Sequence, residues 1–391
     1  MTSQVEPFQA IGISRLAHEL QSEGRSIIHM EFGQPSTGAP RAAIETAHHF
    51  LDTSALGYWE SPALKARIAH QYDETYRTLV NSEQIVLTCG ASPALLLALI
   101  TMFEPGDRVA LARPGYVAYR NTLRALHMVP VELECGAERR YQLTAAAIEA
   151  LDPPPVGVII ASPANPTGTI ITATELEAIV KVCRERHIRI VSDEIYHGLS
   201  YIEPAHSIIE FEPDALIINS FSKYYSMTGW RLGWLLAPLQ HVERARSYAG
   251  NLFLSAPSLS QHAALAAMDS REELEANVEV YRHNRVLLLK ALPSLGLDAI
   301  APPDGAFYIY ANVRHLTDDS MRFCIALLRE TGVAVAPGVD FDPVDGRHFI
   351  RMSFAASTSD VEEAIQRLVP WFASRGRAAS LHATREPGLE R

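Results

Sequence analysis

Lys223 lies in the stretch Ser220-Phe221-Ser222-Lys223-Tyr224-Tyr225-Ser226-Met227-Thr228-Gly229-Trp230-Arg231, directly after the apolar run Leu216-Ile217-Ile218-Asn219. A lysine held between small hydroxylated residues packs poorly but is well suited to attack a carbonyl and form a Schiff base. Ser220 and Ser222 precede it, and Arg231 follows eight residues later. Hydroxyls and a guanidinium are what a bound phosphate monoester needs. The plain alternative is a solvated lysine after a strand, with Arg231 in a salt bridge, since most lysines face water.

Four further segments weigh against that alternative. Ile85-Val86-Leu87-Thr88-Cys89-Gly90-Ala91-Ser92-Pro93-Ala94 reads as a strand, a small-residue turn and a helix start, with Pro93 at the first helical position. The free amides of Ala91 and Ser92 would then face an anion, helped by the helix dipole. Ile190-Val191-Ser192-Asp193-Glu194-Ile195-Tyr196 ends a buried strand in an acid, which could equally be a helix cap. Ala161-Ser162-Pro163-Ala164-Asn165-Pro166-Thr167-Gly168 is a stiff loop at a strand end. Phe349-Ile350-Arg351-Met352-Ser353-Phe354 sets an arginine inside an apolar strand, where a guanidinium needs a partner.

Taken in order, these motifs resemble the class I/II aminotransferases, the fold-type-I enzymes that use pyridoxal 5′-phosphate. The likeness runs from about Phe8 to about Phe372. It implies a Schiff base on Lys223 and a phosphate cup of Ala91, Ser92, Ser220, Ser222 and Arg231. It implies that Asp193 pairs with the pyridine nitrogen, that Tyr196 and Asn165 bond the phenolic oxygen, and that Tyr116 stacks on the ring. Glu194 does not match the nitrogen partner. The substrate α-carboxylate falls to Arg351, Asn165 and the loop of Gly33, where Gln34 stands in place of the family's frequent Glu. Tyr58 matches a tyrosine that reaches the partner's phosphate across a homodimer interface, although the stretch after it is shorter than in the family pattern. The segment Asn251-Leu252-Phe253-Leu254-Ser255-Ala256-Pro257 matches one that lies near the partner's site, so shared active sites are expected.

Such residues need a scaffold, and the apolar runs supply one. Strands are expected at Ile85–Thr88, Arg108–Ala112, Val129–Glu134, Val156–Ser162, Ile188–Ser192, Ala215–Asn219 and Gly233–Ala237. They are nearly continuously hydrophobic, as strands covered on both faces are. Thr172-Ala173-Thr174-Glu175 carries a capping-box signature before an amphipathic helix. Strand, helix, strand implies a parallel sheet. The expected fold is α/β: a large domain over 41–281 with a mostly parallel seven-stranded sheet between helices, plus a smaller α+β domain from 1–40 and 282–373. That second unit should hold strands at Ala306–Ala311, Val333–Ala336 and Arg347–Phe354, and helices at Asp319–Glu330 and Asp360–Phe372. Residues 374–391 read as a flexible tail.

Length and composition agree with this. The chain has 391 residues, enough for two domains, with 48% apolar and 20% charged residues. A net charge of −11 argues against a nucleic-acid surface. No apolar run approaches the length of a membrane span, and the N-terminus lacks a signal-peptide pattern. The four widely spaced cysteines suit a reducing compartment and no metal site, so a cytoplasmic location is expected. Two other chemistries fit the same cofactor motifs: β-eliminating lyase activity, and cyclopropane formation from S-adenosylmethionine. A regulator that senses the cofactor without turnover is a third reading, disfavoured by the acidic charge and the short segment before the large domain. The substrate side chain is less legible. No second cation can be assigned to a side-chain carboxylate, and Phe8, Ile11, Ile13 and Tyr201 lie near segments that could line the pocket, which favours neutral or aromatic amino acids.

Overall fold

The computed structural model describes residues 5–383, with side chains as far as 375. Its strands, in chain order, are β1 (Ile28–His29), β2 (Ile85–Thr88), β3 (Arg108–Arg113), β4 (Val129–Glu134), β5 (Gly157–Ala161), β6 (Arg189–Asp193), β7 (Leu216–Ser220), β8 (Gly233–Leu236), β9 (Tyr308–Asn312), β10 (Val333–Ala334), β11 (Ala336–Pro337) and β12 (Phe349–Ser353). Seven of them, in the order β2-β8-β7-β6-β5-β3-β4, form one sheet. Only β8 runs against the rest. All seven match expected strands to within a residue or two. The apolar runs are continuous because helices cover both faces: Val158, Ile160, Ile190 and Ile217 face one buried cluster, and Ile159, Val191, Leu216 and Ile218 the other.

The remaining strands make a three-stranded antiparallel sheet, β11-β12-β9, and a short parallel pair, β1-β10. A third core joins them to the helices Gln9–Ser22 and Ser320–Thr331 through Ile13, Ala17, Phe323 and Leu327. Tyr196, Leu199 and Tyr201 reach into that core from just beyond β6. The pair β1-β10 stitches the N-terminal segment to this unit, and Met30 O then accepts the N–H of Ser353 at 2.8 Å. No helix among the described residues is long and apolar enough to cross a membrane.

Three local details differ from expectation. The helix after β2 starts at Ala91, with Gly90 as N-cap, so Pro93 is its third residue and not its first. Proline is equally harmless there, because the first four N–H groups of a helix have no intrahelical acceptor. The capping box at Thr172 is half made. Thr172 Oγ1 accepts the N–H of Glu175 at 3.3 Å, but the Glu175 carboxylate accepts the N–H of Ala145 at 2.7 Å, serving a neighbouring helix start instead of its own. The last helix is Thr358–Ala383, so 374–383 of the expected tail is helical, and Arg375 is tied to Glu330 at 2.7 Å. The rest of that tail, 384–391, lies outside the described residues.

Sheet direction decides where chemistry can happen. In open α/β sheets, ligand-binding loops gather at the carboxyl ends of the parallel strands. Here β3 leads to Tyr116, β5 to Asn165, β6 ends in Asp193, and β7 leads to Lys223. The antiparallel β8 begins at the same edge, just after Arg231.

Candidate active site

Those ends enclose a cavity of about 370 Å³. Gly33, Ala91, Ser92, Tyr116, Asn165, Asp193, Tyr196, Ser222, Lys223, Arg231 and Arg351 all line it. Ser220 and Tyr58 do not. Ser220 is buried one layer below: its Oγ lies 2.9 Å from both Ser222 Oγ and Leu232 O, and it accepts the N–H of Ser222 at 3.1 Å. It therefore orients Ser222. Tyr58 stands on the surface, 84% exposed. Of the apolar residues expected near the substrate, Phe8 lines the cavity. Ile11 is exposed, while Ile13 and Tyr201 are buried in the third core.

One end of the cavity is shaped for an anion. The helix Ala91–Met102 has no side-chain cap at its N-terminus. Its first amides and its dipole are free to meet a negative group. Ser222, Thr228 and Arg231 line the same cavity. The Arg231 guanidinium rests on two backbone carbonyls, Thr228 O at 3.0 Å and Cys89 O at 3.3 Å, and has no carboxylate partner among the described residues. Neutral carbonyls hold it in place without cancelling its charge.

Asp193 lies at the floor. Oδ2 accepts the Tyr119 hydroxyl at 2.8 Å, and Oδ1 accepts the N–H of Ile195 at 3.1 Å. The Ile195 bond is the local turn expected of a cap; the Tyr119 bond is not local. Burial pushes the Asp193 carboxyl up to about 6, with Tyr119 and Ile195 pulling the other way because both stabilise the ionised form. Glu194 points elsewhere, toward Ser192, Ser207 and the N–H of Ile208, and burial raises it to about 7.

Arg351 is 2% exposed yet has no carboxylate in contact among the described residues. Nη1 donates to Asn165 Oδ1 at 2.8 Å and Nη2 to Glu31 O at 2.5 Å, while Nε has no partner. Its plane is held between the rings of Tyr308 and Phe341, at 4.4 and 4.6 Å. A buried guanidinium with an orphaned N–H is a ready partner for a carboxylate. Two residues beyond Glu31, Gly33 O accepts a hydrogen bond from Lys223 Nζ. Gly33 must be glycine for space: a Cβ would sit 1.7 Å from the Tyr308 hydroxyl. That hydroxyl is bonded to Tyr196 at 2.6 Å. Lys223 itself is pushed down to about 8, first by burial and then by Arg351 and Arg231, with Asp193 opposing.

Tyr119, Tyr308, Phe32 and Thr228 belong to the site but carry no motif of their own. Tyr119 had a detectable signal, since it follows Tyr116 by three positions at a helix start and so shares its face. Tyr308 had none, because its partners Gly33, Tyr196 and Arg351 come from three distant segments.

A lysine made less basic and an anion-seeking helix end at the edge of the large sheet, with a carboxylate-seeking arginine from the smaller sheet, fit the chemistry of an aminotransferase. The chain belongs to the class I and II aminotransferase family, whose sequence profile matches residues 25–368. The valine–pyruvate aminotransferase of Mycobacterium tuberculosis is 43% identical over 378 residues, covering 95% of this chain and 97% of that one. The crystal structure of an aminotransferase from Mycobacterium tuberculosis matches with a TM-score of 0.93 at 43% identity, over 96% of this chain and 98% of that one. The aspartate aminotransferase of Thermus thermophilus, solved with maleate, matches at 0.88 and 29% identity, over 94% of this chain and 97% of that one.

Tyr119→Phe should raise the Asp193 pKa above about 6, because it removes a donor that favours the ionised carboxylate. Carboxyl ¹³C NMR titration of the variant against the parent reads this directly. An unchanged midpoint would mean that the Tyr119 bond does not tune Asp193.

Proposed function

We propose that this enzyme carries pyridoxal 5′-phosphate on Lys223 and moves the amino group of a neutral, apolar L-amino acid to a small 2-keto acid such as pyruvate. One observation carries the cofactor: Lys223 shares a single cavity with an uncapped helix end and with Asp193. The residues fit the group. A phosphate monoester suits the amides of Ala91 and Ser92, the Ser222 hydroxyl oriented by Ser220, and Arg231. A pyridinium suits Asp193, and a flat ring suits the Tyr116 face. Tyr196 and Asn165 are the candidates for its phenolic oxygen.

When bound, pyridoxal phosphate supplies the electron sink for the pair left at the substrate Cα. The chain's residues then divide the work. Asp193, ionised above about 6, holds a proton on the ring nitrogen. Arg351 takes the substrate carboxylate with the fork that now holds Asn165 and Glu31 O, helped by Gly33. That fixes which Cα bond can break. Lys223, once the substrate amine has replaced it on the cofactor, would have a usable neutral fraction near neutral pH, since burial and the two arginines lower it to about 8, and would accept the Cα proton at Nζ.

The donor assignment rests on charge and lining. Among the described residues that line the cavity, the cations are Lys223, Arg231 and Arg351. Each already has a role, so none is left for a second carboxylate. Phe8, Phe32 and Tyr116 offer an apolar wall. The relative named for valine and pyruvate supports the same choice. The enzyme should convert valine and pyruvate to the branched keto acid and alanine, and should leave aspartate nearly untouched. A donor panel scored for keto acid, amino product and free ammonia tests this. Ammonia release without a new amino acid would favour the eliminating-lyase chemistry instead.

We also propose two domains, 41–281 and 1–40 with 282–373, and a homodimer with shared sites. Tyr58, Leu51, Leu252 and Leu254 are all more than half exposed, an apolar set that suits a second copy. Beside them, Trp59, His262 and Phe50 form a stack with ring spacings of 4.6 and 3.6 Å. Ser255 O lies 3.9 Å from Cys89 Sγ, so the segment that ends at Pro257 runs beside the helix start that faces the cavity. If Tyr58 acts in trans, Lys223→Ala and Tyr58→Phe chains combined as heterodimers place both lesions in one site and leave the other intact. Activity should recover to about half of wild type per dimer, given the two-fold symmetry. Heterodimers no better than the Tyr58→Phe parent would contradict a shared site.

A further inference from the structure

Asp340 is buried in the short turn Gly338–Asp340, and both its oxygens work as a helix cap. Oδ1 accepts the N–H of Gln9 at 2.7 Å and Oδ2 that of Ala10 at 2.8 Å. These are the first residues of the helix Gln9–Ser22, whose N-cap position is Phe8 and which has no side-chain cap of its own. A helix start leaves its N–H groups unpaired, and a local Ser, Thr, Asp or Asn usually serves them. Here a carboxylate 331 positions from Gln9 does so. The carboxylate also suits the positive end of the helix dipole.

The residue this fixes is Phe8. It lines the catalytic cavity and meets Phe32 and Tyr116 edge-on, at 6.4 and 6.5 Å. Its other flank is tied down as well. Glu6 O accepts from Asn121 Nδ2 at 3.0 Å, and the Glu6 carboxylate meets Arg124 at 3.0 Å. The turn that carries Asp340 touches two more walls. Phe341 O accepts the N–H of Gly115, next to Tyr116, at 3.0 Å, and the Phe341 ring lies 4.6 Å from the Arg351 guanidinium.

We infer that Asp340 is a positioning residue that sets the substrate side-chain pocket by clamping the helix start and so holding Phe8 against the cavity. The inference rests on the neutral-donor reading above. Asp340 acts through Phe8 and not on the reacting atoms. Loosening the clamp should therefore weaken selection among donors more than it slows the step at Cα. A branched side chain that packs on Phe8 loses contact, whereas a methyl side chain has little to lose. The scale is that of a methylene or two in an apolar pocket, roughly tenfold.

The test uses cofactor-loaded enzyme mixed with valine or with alanine, following the cofactor absorbance through the first half-reaction. Asp340→Asn and Phe8→Ala should each lower the valine-over-alanine preference roughly tenfold, with the change in the dissociation constant and not in the limiting rate. The double variant should be no worse than Phe8→Ala alone. Amide hydrogen exchange over residues 9–12 should speed up in Asp340→Asn and stay slow in Phe8→Ala. If Phe8→Ala leaves the preference unchanged, or a folded Asp340→Asn leaves the preference unchanged whatever its exchange, the inference is overturned. Phe8→Ala decides the first point even where Asp340→Asn does not fold. A parent enzyme that does not react with valine or any apolar donor overturns the donor assignment, and this inference with it.

Discussion

Charge imbalance in one cavity governs this molecule. Among the described residues, Lys223, Arg231 and Arg351 line it with a single carboxylate, Asp193. Cations brought together away from water repel one another and lose hydration. The cost shows in Lys223, pushed down to about 8 by burial and by the two arginines. It is limited by neutral oxygens: Arg231 leans on Thr228 O and Cys89 O, Arg351 on Glu31 O and Asn165, and Lys223 on Gly33 O. None of these acceptors carries a charge, so the site stays positive. Such a site would suit ligands that bring their own anions, as the proposed cofactor phosphate and substrate carboxylate do.

The fold enforces that imbalance mechanically. Four parallel strands end at one edge of the large sheet and fix Tyr116, Asn165, Asp193 and Lys223 relative to one another. Arg351 comes from the smaller antiparallel sheet. The segment Met30–Gly33 joins the two, with Met30 bonded to Ala334 and Ser353 and Gly33 against Lys223. Backbone carbonyls of one short strap thus hold both the lysine and the arginine. A carboxylate bound at Arg351 would exchange partners with that strap, which would link its recognition to the position of the lysine.

Much of this was legible in the sequence, and the reasons are physical. Most strands of the large sheet are short, apolar and buried on both faces, so each leaves a continuous run; the edge strand β4 is only partly buried. Arg351 stood out because a guanidinium is out of place in an apolar strand, whereas Lys223 and Asp193 took their roles from the likeness to the family's motifs. What escaped was tertiary. Nothing near Phe8 announces that Asp340 caps its helix, and nothing near Asp193 marks Tyr119 as a partner. Glu175 was misread for the same reason: a carboxylate placed for a local box found a better-placed N–H at Ala145. The helix expected to stop at Phe372 runs on because Arg375 finds Glu330 and the Trp371 ring, contacts that a local pattern does not encode.

The central claim is that Lys223, which shares its cavity with Asp193, Arg231 and Arg351, is the one lysine that links to the cofactor. The direct measurement is borohydride reduction of the pyridoxal phosphate-loaded protein across a range of pH, followed by peptide mapping. The account predicts a single reduced adduct on the peptide containing Lys223 and no label on Lys65, Lys181 or Lys290. A label on another lysine, or an unlabelled Lys223 in protein that retains activity, would contradict it.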